Sequence, residues 1–247
     1  MYLATITTCL HLTGKLEQTV KCLDSLFMYE PGLSKLIVLI NEYNIDANRF
    51  LNEIKSRYPD IKCIQKGDDE IGQACSVNKI LNMLREGKYK YWVHWEESWE
   101  TCCEFLNESL RIMEENSDIG QLQIAKGWDG YTDIPNELYE GEVYMKEGKI
   151  KDVINSLGVV PVKHARWKKH PWPFYSLQPG IDRVDVTSVI GDFDENQNQN
   201  PKGKVDGSEF NFSHRWFCKG YKKAVLYPYK VFRQKNHRST KQLIVST

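Results

Sequence analysis

The residues of this 247-residue chain best suited to chemistry lie together in Tyr91-Trp92-Val93-His94-Trp95-Glu96-Glu97-Ser98-Trp99. An apolar run delivers two carboxylates and a hydroxyl at its carboxyl end, which in an open α/β sheet is where ligands bind. Adjacent carboxylates followed by an oxygen donor suit a hard divalent cation held against a diphosphate, because Mg²⁺ and Mn²⁺ prefer oxygen ligands and keep positions open for substrate oxygens. Such a metal neutralises a phosphate leaving group. Glu96 and Glu97 also fit the opening turn of a following helix, where negative charge suits the exposed amides. Near the carboxyl end, Arg233-Gln234-Lys235-Asn236-His237-Arg238-Ser239-Thr240 offers cations and hydroxyls suited to phosphate, and His237 is a further candidate metal ligand. A solvated basic tail has the same composition.

The elements that must position these groups alternate between strand and helix through the first half, the pattern of a parallel sheet with helices on its faces. Strands are predicted over 3–8, 35–41, around Cys63, over 89–95 and over 122–125. Helices are predicted between them, the first with Leu16, Val20, Leu23 and Phe27 at helical spacing, then over 46–57, 76–84 and 101–115. From 127 to 193 the pattern is irregular and rich in Trp, Tyr, Pro and Gly, as in loops and antiparallel strands lying over a binding face. Trp167, Trp172, Phe174 and Tyr175 fall there beside His164 and His170, and fit either a sugar-stacking platform or a core beneath loops. A polar surface loop is predicted over 195–204, a helix over 208–219 and a strand near Val225. One domain is expected over 1–247, with a nucleotide-binding half, 1–125, and an acceptor-binding half, 126–247.

The 33 basic residues balance the 33 acidic ones, so the net charge argues against nucleic acid or an anionic membrane as main partner. The seven cysteines lack paired spacing and read as free thiols of a reducing compartment. No stretch has the length of a membrane span or the make-up of a signal peptide, and a soluble, cytoplasmic protein is expected.

The run His94-Trp95-Glu96-Glu97-Ser98-Trp99 resembles the metal-site strand, His-X-Glu-Asp-Asp-Trp, of a bacterial and large-DNA-virus subgroup of family 2 glycosyltransferases with the GT-A fold. The resemblance extends to Thr5-Ile6-Thr7-Thr8, to Leu39-Ile40-Asn41-Glu42 and to Gly72-Gln73-Ala74-Cys75-Ser76-Val77-Asn78. Later it takes in Phe174-Tyr175-Ser176-Leu177-Gln178-Pro179-Gly180, Ile190-Gly191-Asp192-Phe193 and Glu209-Phe210. It implies an α/β GT-A fold: a mostly parallel central sheet flanked by helices, with a smaller antiparallel acceptor side. It further implies that Thr7, Thr8, Asn41 and Glu42 border the nucleoside, that Asn78, Glu96 and Arg238 belong to the donor site, and that Glu96, Ser98 and His237 surround Mn²⁺ or Mg²⁺. Ser98 stands where an aspartate usually binds the ion, and a neutral hydroxyl is the poorer ligand. Glu209 resembles the base that takes the acceptor proton in an inverting transfer, with Asp206 in reserve. Asp206-Gly207-Ser208-Glu209 equally fits a capping box.

The activity implied is transfer of a sugar from a nucleoside-diphosphate donor, UDP-sugar favoured, to a hydroxyl of a glycan or glycoprotein. The alternative is a catalytically inactive relative that binds nucleotide or glycan, for which Ser98 speaks. A nucleotidyltransferase ranks below both, because no glycine-rich phosphate loop follows the first strand.

Overall fold

A computed structural model describes residues 1–8, 14–33, 36–40, 45–67, 70, 72–125, 175–196, 207–226 and 230–234. In chain order these form β1 (Tyr2–Thr8), α1 (Lys15–Tyr29), β2 (Leu36–Ile40), α2 (Ile45–Arg57), β3 (Lys62–Gln65), α3 (Gly72–Glu86), β4 (Tyr91–Glu96) and β5 (Trp99–Thr101). They continue with α4 (Leu106–Glu115), β6 (Ile119–Gln123), β7 (Gly180–Arg183), α5 (Val184–Ile190), α6 (Gly207–Cys218), β8 (Lys222–Val225) and β9 (Val231–Arg233).

Seven strands make one sheet in the order β3-β2-β1-β4-β7-β6-β8, and β5 pairs with β9 in a second, two-stranded sheet. Only β7 runs against its neighbours in the large sheet, lying antiparallel to both β4 and β6. A helical crossover returns the chain to the same end of the sheet after each early strand, so β1, β2 and β4 all finish on one edge. The sheet is covered on both faces, which is why β2 and most of β4 read as apolar runs. Ala4, Ile6, Val38, Val93 and Trp95 pack with Leu23, Phe50, Ile54 and Ile112 of α1, α2 and α4. On the other face, Leu3, Ile37 and Trp92 meet Val77, Ile80, Val184, Phe212 and Trp216 of α3, α5 and α6.

The strands and helices predicted through residue 86 are all present, with the third helix longer than predicted because Gly72 to Cys75 form its first turn. One prediction needs correction. The helix expected over 101–115 begins only at Leu106, because residues 99–101 form β5 against the distant β9. Glu30 sets the true start, its Oε1 accepting the Phe105 and Leu106 amides at 2.5 and 2.8 Å and capping the positive end of α4 from another element. Within the stretch expected to be irregular, β7 supplies the antiparallel strand and α5 is a helix that its seven residues gave too little periodicity to reveal.

Gly120 on β6 lies under the Trp216 ring, and a Cβ there would sit 2.4 Å from a ring carbon. Gly120→Ala is therefore expected to lower stability by about 1–3 kcal/mol through overpacking, measurable as a lower thermal midpoint; an unchanged midpoint would show that the Trp216 ring moves aside freely.

Candidate active site

Strand alternation sends Trp92, His94 and Glu96 of β4 to the α3/α6 face, while Val93 and Trp95 enter the opposite core. In the parallel register Thr7 lies beside Glu96, and the Thr7 hydroxyl donates to the Trp95 carbonyl at 3.4 Å. Thr5, Thr7, Trp92 and His94 floor a small, narrow cleft, with Gln73 and Val77 of α3 on one side and Leu177 on the other. Glu96 stands at its rim, only half-buried, with long hydrogen bonds from Gln73 Nε2 at 3.4 Å and Trp99 Nε1 at 3.2 Å.

Glu97 takes the opposite course. Its carboxylate turns to α1 and forms an ion pair with Lys15, the two side chains being 9% and 5% exposed. Burial pushes the Glu97 carboxyl above its ordinary value, and the Lys15 ammonium works against that shift. Gln234, next to the end of β9, braces the same turn: its side-chain amide donates to the Glu97 carbonyl at 3.1 Å and the Gln18 carbonyl at 2.9 Å, and its backbone N–H donates to Ser98. Arg233 lies over the Trp99 ring at 5.3 Å; burial pulls its guanidinium down against the attraction of Glu96 and Glu97.

The other residues expected at the site separate. The Thr8 hydroxyl is buried against Thr19 of α1 at 3.2 Å, on the far side of β1 from Thr7. Asn78 uses its amide within the protein, donating to the Phe193 carbonyl at 2.9 Å and Glu195 at 2.7 Å and accepting the Phe193 amide at 2.8 Å. Ser98 is 2% exposed in the turn after β4. Glu209, in the first turn of α6, accepts the Leu177 amide at 2.9 Å and so reaches the wall of the cleft that holds Thr7. Tyr175 is a core residue, packed with Phe193, Phe212 and Trp216. Asn41, Glu42, Asp206, His237 and Arg238, together with Trp167, Trp172, Phe174 and nearly all of the 195–204 loop, lie outside the described residues.

A polar row crosses the same face of the sheet. Register sets Trp92 opposite Asp182, Asp182 opposite Gln121, and Gln121 opposite Lys223, so all four share a face. Asp182 accepts the Tyr175 hydroxyl at 3.3 Å and faces His94 Nδ1 at 3.0 Å. Burial pushes the Lys223 amine down to about 8, against the attraction of Glu209 and Asp182. Lys15, Asp182 and Lys223 went unnoticed in the sequence because each partner lies on another element, with no local spacing to mark it.

These residues do not make a fitting divalent-metal site. Glu96 is the one motif carboxylate on the cleft side, Glu97 is held by Lys15, and Ser98 is neutral. Among the described residues no group of three His, Cys, Asp or Glu could hold a metal ion. Hard cations of this type ask for several oxygen ligands. Six described cysteines are free thiols, and among the described residues no helix is long and apolar enough to cross a membrane.

Similar solved structures share this architecture at low sequence identity. A mannosyltransferase from Pyrobaculum calidifontis, in complex with GDP-Man and Mn²⁺, superposes with a TM-score of 0.60 at 12% identity over 96% of this chain. TarS of S. aureus superposes with a TM-score of 0.59 at 11% identity over 95% of it. The fold is that of the GT-A glycosyltransferases. A TarS fragment in complex with UDP gives a TM-score of 0.55 at 13% identity over 94% of this chain and 59% of its own. The chain spans 36% of the longer TarS chain and 58% of the mannosyltransferase. No family profile and no curated protein matches the sequence.

Two outcomes follow from the charges. Lys15→Met leaves a buried carboxylate unpaired and is expected to cost about 3–5 kcal/mol in denaturant unfolding, with Lys15→Met/Glu97→Gln recovering most of it; full stability in the single variant would show that water already screens the pair. Lys223 binds its proton less tightly folded, at about 8, than its ordinary 10.5. Between those pH values the unfolded chain holds the extra proton, so this lysine's contribution to stability rises with pH and is lost as pH falls through about 8. Lys223→Met should remove that rise from a melting series taken across the window; an identical pH profile would place the amine in water.

Proposed function

We propose that the chain transfers a sugar from a nucleoside-diphosphate sugar, a UDP-sugar being favoured, to a hydroxyl of a glycan or glycoprotein, with inversion. The observation carrying this reading is the convergence of Thr7 and Glu96 at the carboxyl ends of β1 and β4 with Glu209, which reaches the same cleft through Leu177. Ligands of α/β sheets bind at such strand ends. The UDP and GDP-Man held by the structural neighbours support a nucleotide-sugar donor.

Residues 1–125 bind the nucleotide in this reading and 126–247 the acceptor. Thr7, Asn41 and Glu42 border the nucleoside, and Arg238 meets the diphosphate. Thr8 and Asn78 support the site from behind, through Thr19 and the Phe193 segment. Glu209, with Asp206 in reserve, takes the proton of the acceptor hydroxyl as its oxygen attacks the anomeric carbon. The bond from that carbon to the diphosphate breaks, and the nucleoside diphosphate leaves with the electron pair. Mn²⁺ accompanies GDP-Man in the neighbour. Here a metal would have Glu96, with Ser98 and His237 as the remaining candidates, so no step is routed through it.

One observation favours a second reading, a nucleotide- or glycan-binding relative without turnover: Glu97 is committed to Lys15 and Ser98 replaces an acid. The two readings part in a donor-hydrolysis and transfer assay. Glu96→Gln and Glu209→Gln, which preserve shape and the acceptor oxygen for Leu177, are expected to lower turnover by about 100-fold or more with thermal melting nearly unchanged. Wild-type rates in both variants would place the chemistry elsewhere, and nucleotide binding without turnover by the unmodified chain on a broad donor panel would establish the second reading.

A further inference from the structure

The segment Tyr175-Ser176-Leu177-Gln178-Pro179 precedes β7 without belonging to a strand, yet its backbone is held at every residue. Tyr175 N–H donates to Ser213 Oγ at 3.0 Å. Gln121 brackets Ser176, accepting its N–H at 3.1 Å and donating to its carbonyl at 2.8 Å. Leu177 N–H donates to Glu209 at 2.9 Å, and the Pro179 carbonyl accepts the Ile124 N–H at 3.1 Å. The Gln178 carbonyl is met by His94 Nε2. A carbonyl only accepts, so that ring nitrogen donates. On the ring's other side, Nδ1 faces Asp182 at 3.0 Å, and the two side chains are 4% and 0% exposed.

His94 thus ties β4 to this segment's backbone, and it sits two residues before Glu96 on the same face. The backbone of β4 joins Glu96 to His94, His94 meets the Gln178 carbonyl, and the N–H of the adjacent Leu177 donates to Glu209. We propose that His94 is a positioning residue: by holding the Gln178 carbonyl it fixes the 175–179 segment, keeps Leu177 against the cleft, and registers the Glu209 carboxylate with Glu96. The proposal rests on the reading of Glu209 as the base. Its physical basis is that a buried donor fixed from both sides defines a position closely, and that a displacement of about 1 Å at a reacting group can cost about 100-fold in rate.

The test compares His94→Phe, which keeps a ring and removes both ring nitrogens, with His94→Gln, whose side-chain amide can place a donor near that of Nε2. Amide hydrogen exchange is read on peptides covering 175–180 and, as control, β1 and β2. Donor turnover is measured on the same proteins. For His94→Phe, exchange is expected to quicken at 175–180 alone, with kcat falling about 10- to 100-fold and KM for the donor staying within about 3-fold. For His94→Gln, both protection and kcat should return most of the way. Asp182→Asn, which loosens the ring from its other side, is expected to quicken the same peptide to a lesser degree and reads the link if His94→Phe does not fold. Unchanged exchange at 175–180, loss of protection spread over β1 and β2, or local loosening with full kcat would each overturn the proposal. If the unmodified chain turns over no donor, the Glu209 reading fails, and the exchange data still decide whether His94 holds the segment.

Discussion

A lysine and a glutamate that would each be hydrated in the unfolded chain are closed together in the protein where β4 ends. Removing two charges from water is costly, and the cost is offset only if their geometry is held firmly. Lys15 opens α1 and Glu97 follows β4, so the pair clamps the first helix to the turn carrying Glu96 and Ser98. Gln234 completes the clamp from the carboxyl-terminal side, joining α1, Glu97 and Ser98 through three hydrogen bonds. With Glu97 drawn to one face, Glu96 is left to the other, and the cleft acquires a single acid from a pair of adjacent glutamates.

The two faces of the sheet thereby take different work. The α1/α2/α4 face is an apolar core with the buried Lys15–Glu97 pair at its edge. The α3/α5/α6 face carries polar groups in register across four strands, from Trp92 through Asp182 and Gln121 to Lys223. Several polar side chains on this face hold backbone. Gln121 holds Ser176, His94 holds Gln178, Asn78 holds Phe193, and Glu209 holds Leu177. Irregular chain crossing a sheet needs partners for its amides and carbonyls, and these side chains supply them. The result is a cleft wall fixed in place without being a strand.

Much of the fold could be read from the sequence because its first half is locally periodic: apolar runs for β1, β2 and β4, and helical spacing at Leu16, Val20 and Leu23. The failures share one cause. Trp99 to Thr101 look helical by context, and only Val231 to Arg233, some 130 residues on, make them a strand. At the site, adjacent carboxylates suggest a shared ion, whereas the alternation of an extended chain sends residues 96 and 97 to opposite faces. Lys15 and Asp182 carry no local mark, since each is defined by a partner more than 80 residues away. Tyr175 shows the limit of composition: an aromatic near other aromatics fits a sugar platform and a core equally, and its partners Phe193, Phe212 and Trp216 decide for the core.

The reading proposed for the cleft is that it takes a nucleoside diphosphate, with Glu96 as the acid of the pair that faces it. Calorimetric titration of the purified chain with UDP, GDP, CDP and dTDP, each with and without Mn²⁺, tests it most directly, because the product nucleotide probes the site without knowledge of the acceptor. The account predicts binding of one nucleotide, UDP being favoured, with an affinity that Mn²⁺ changes only slightly and that Glu96→Gln alters. Binding of none of the four would contradict a nucleotide site here, and binding that appears only with Mn²⁺ would contradict the charge arrangement assigned to Glu96, Glu97 and Lys15.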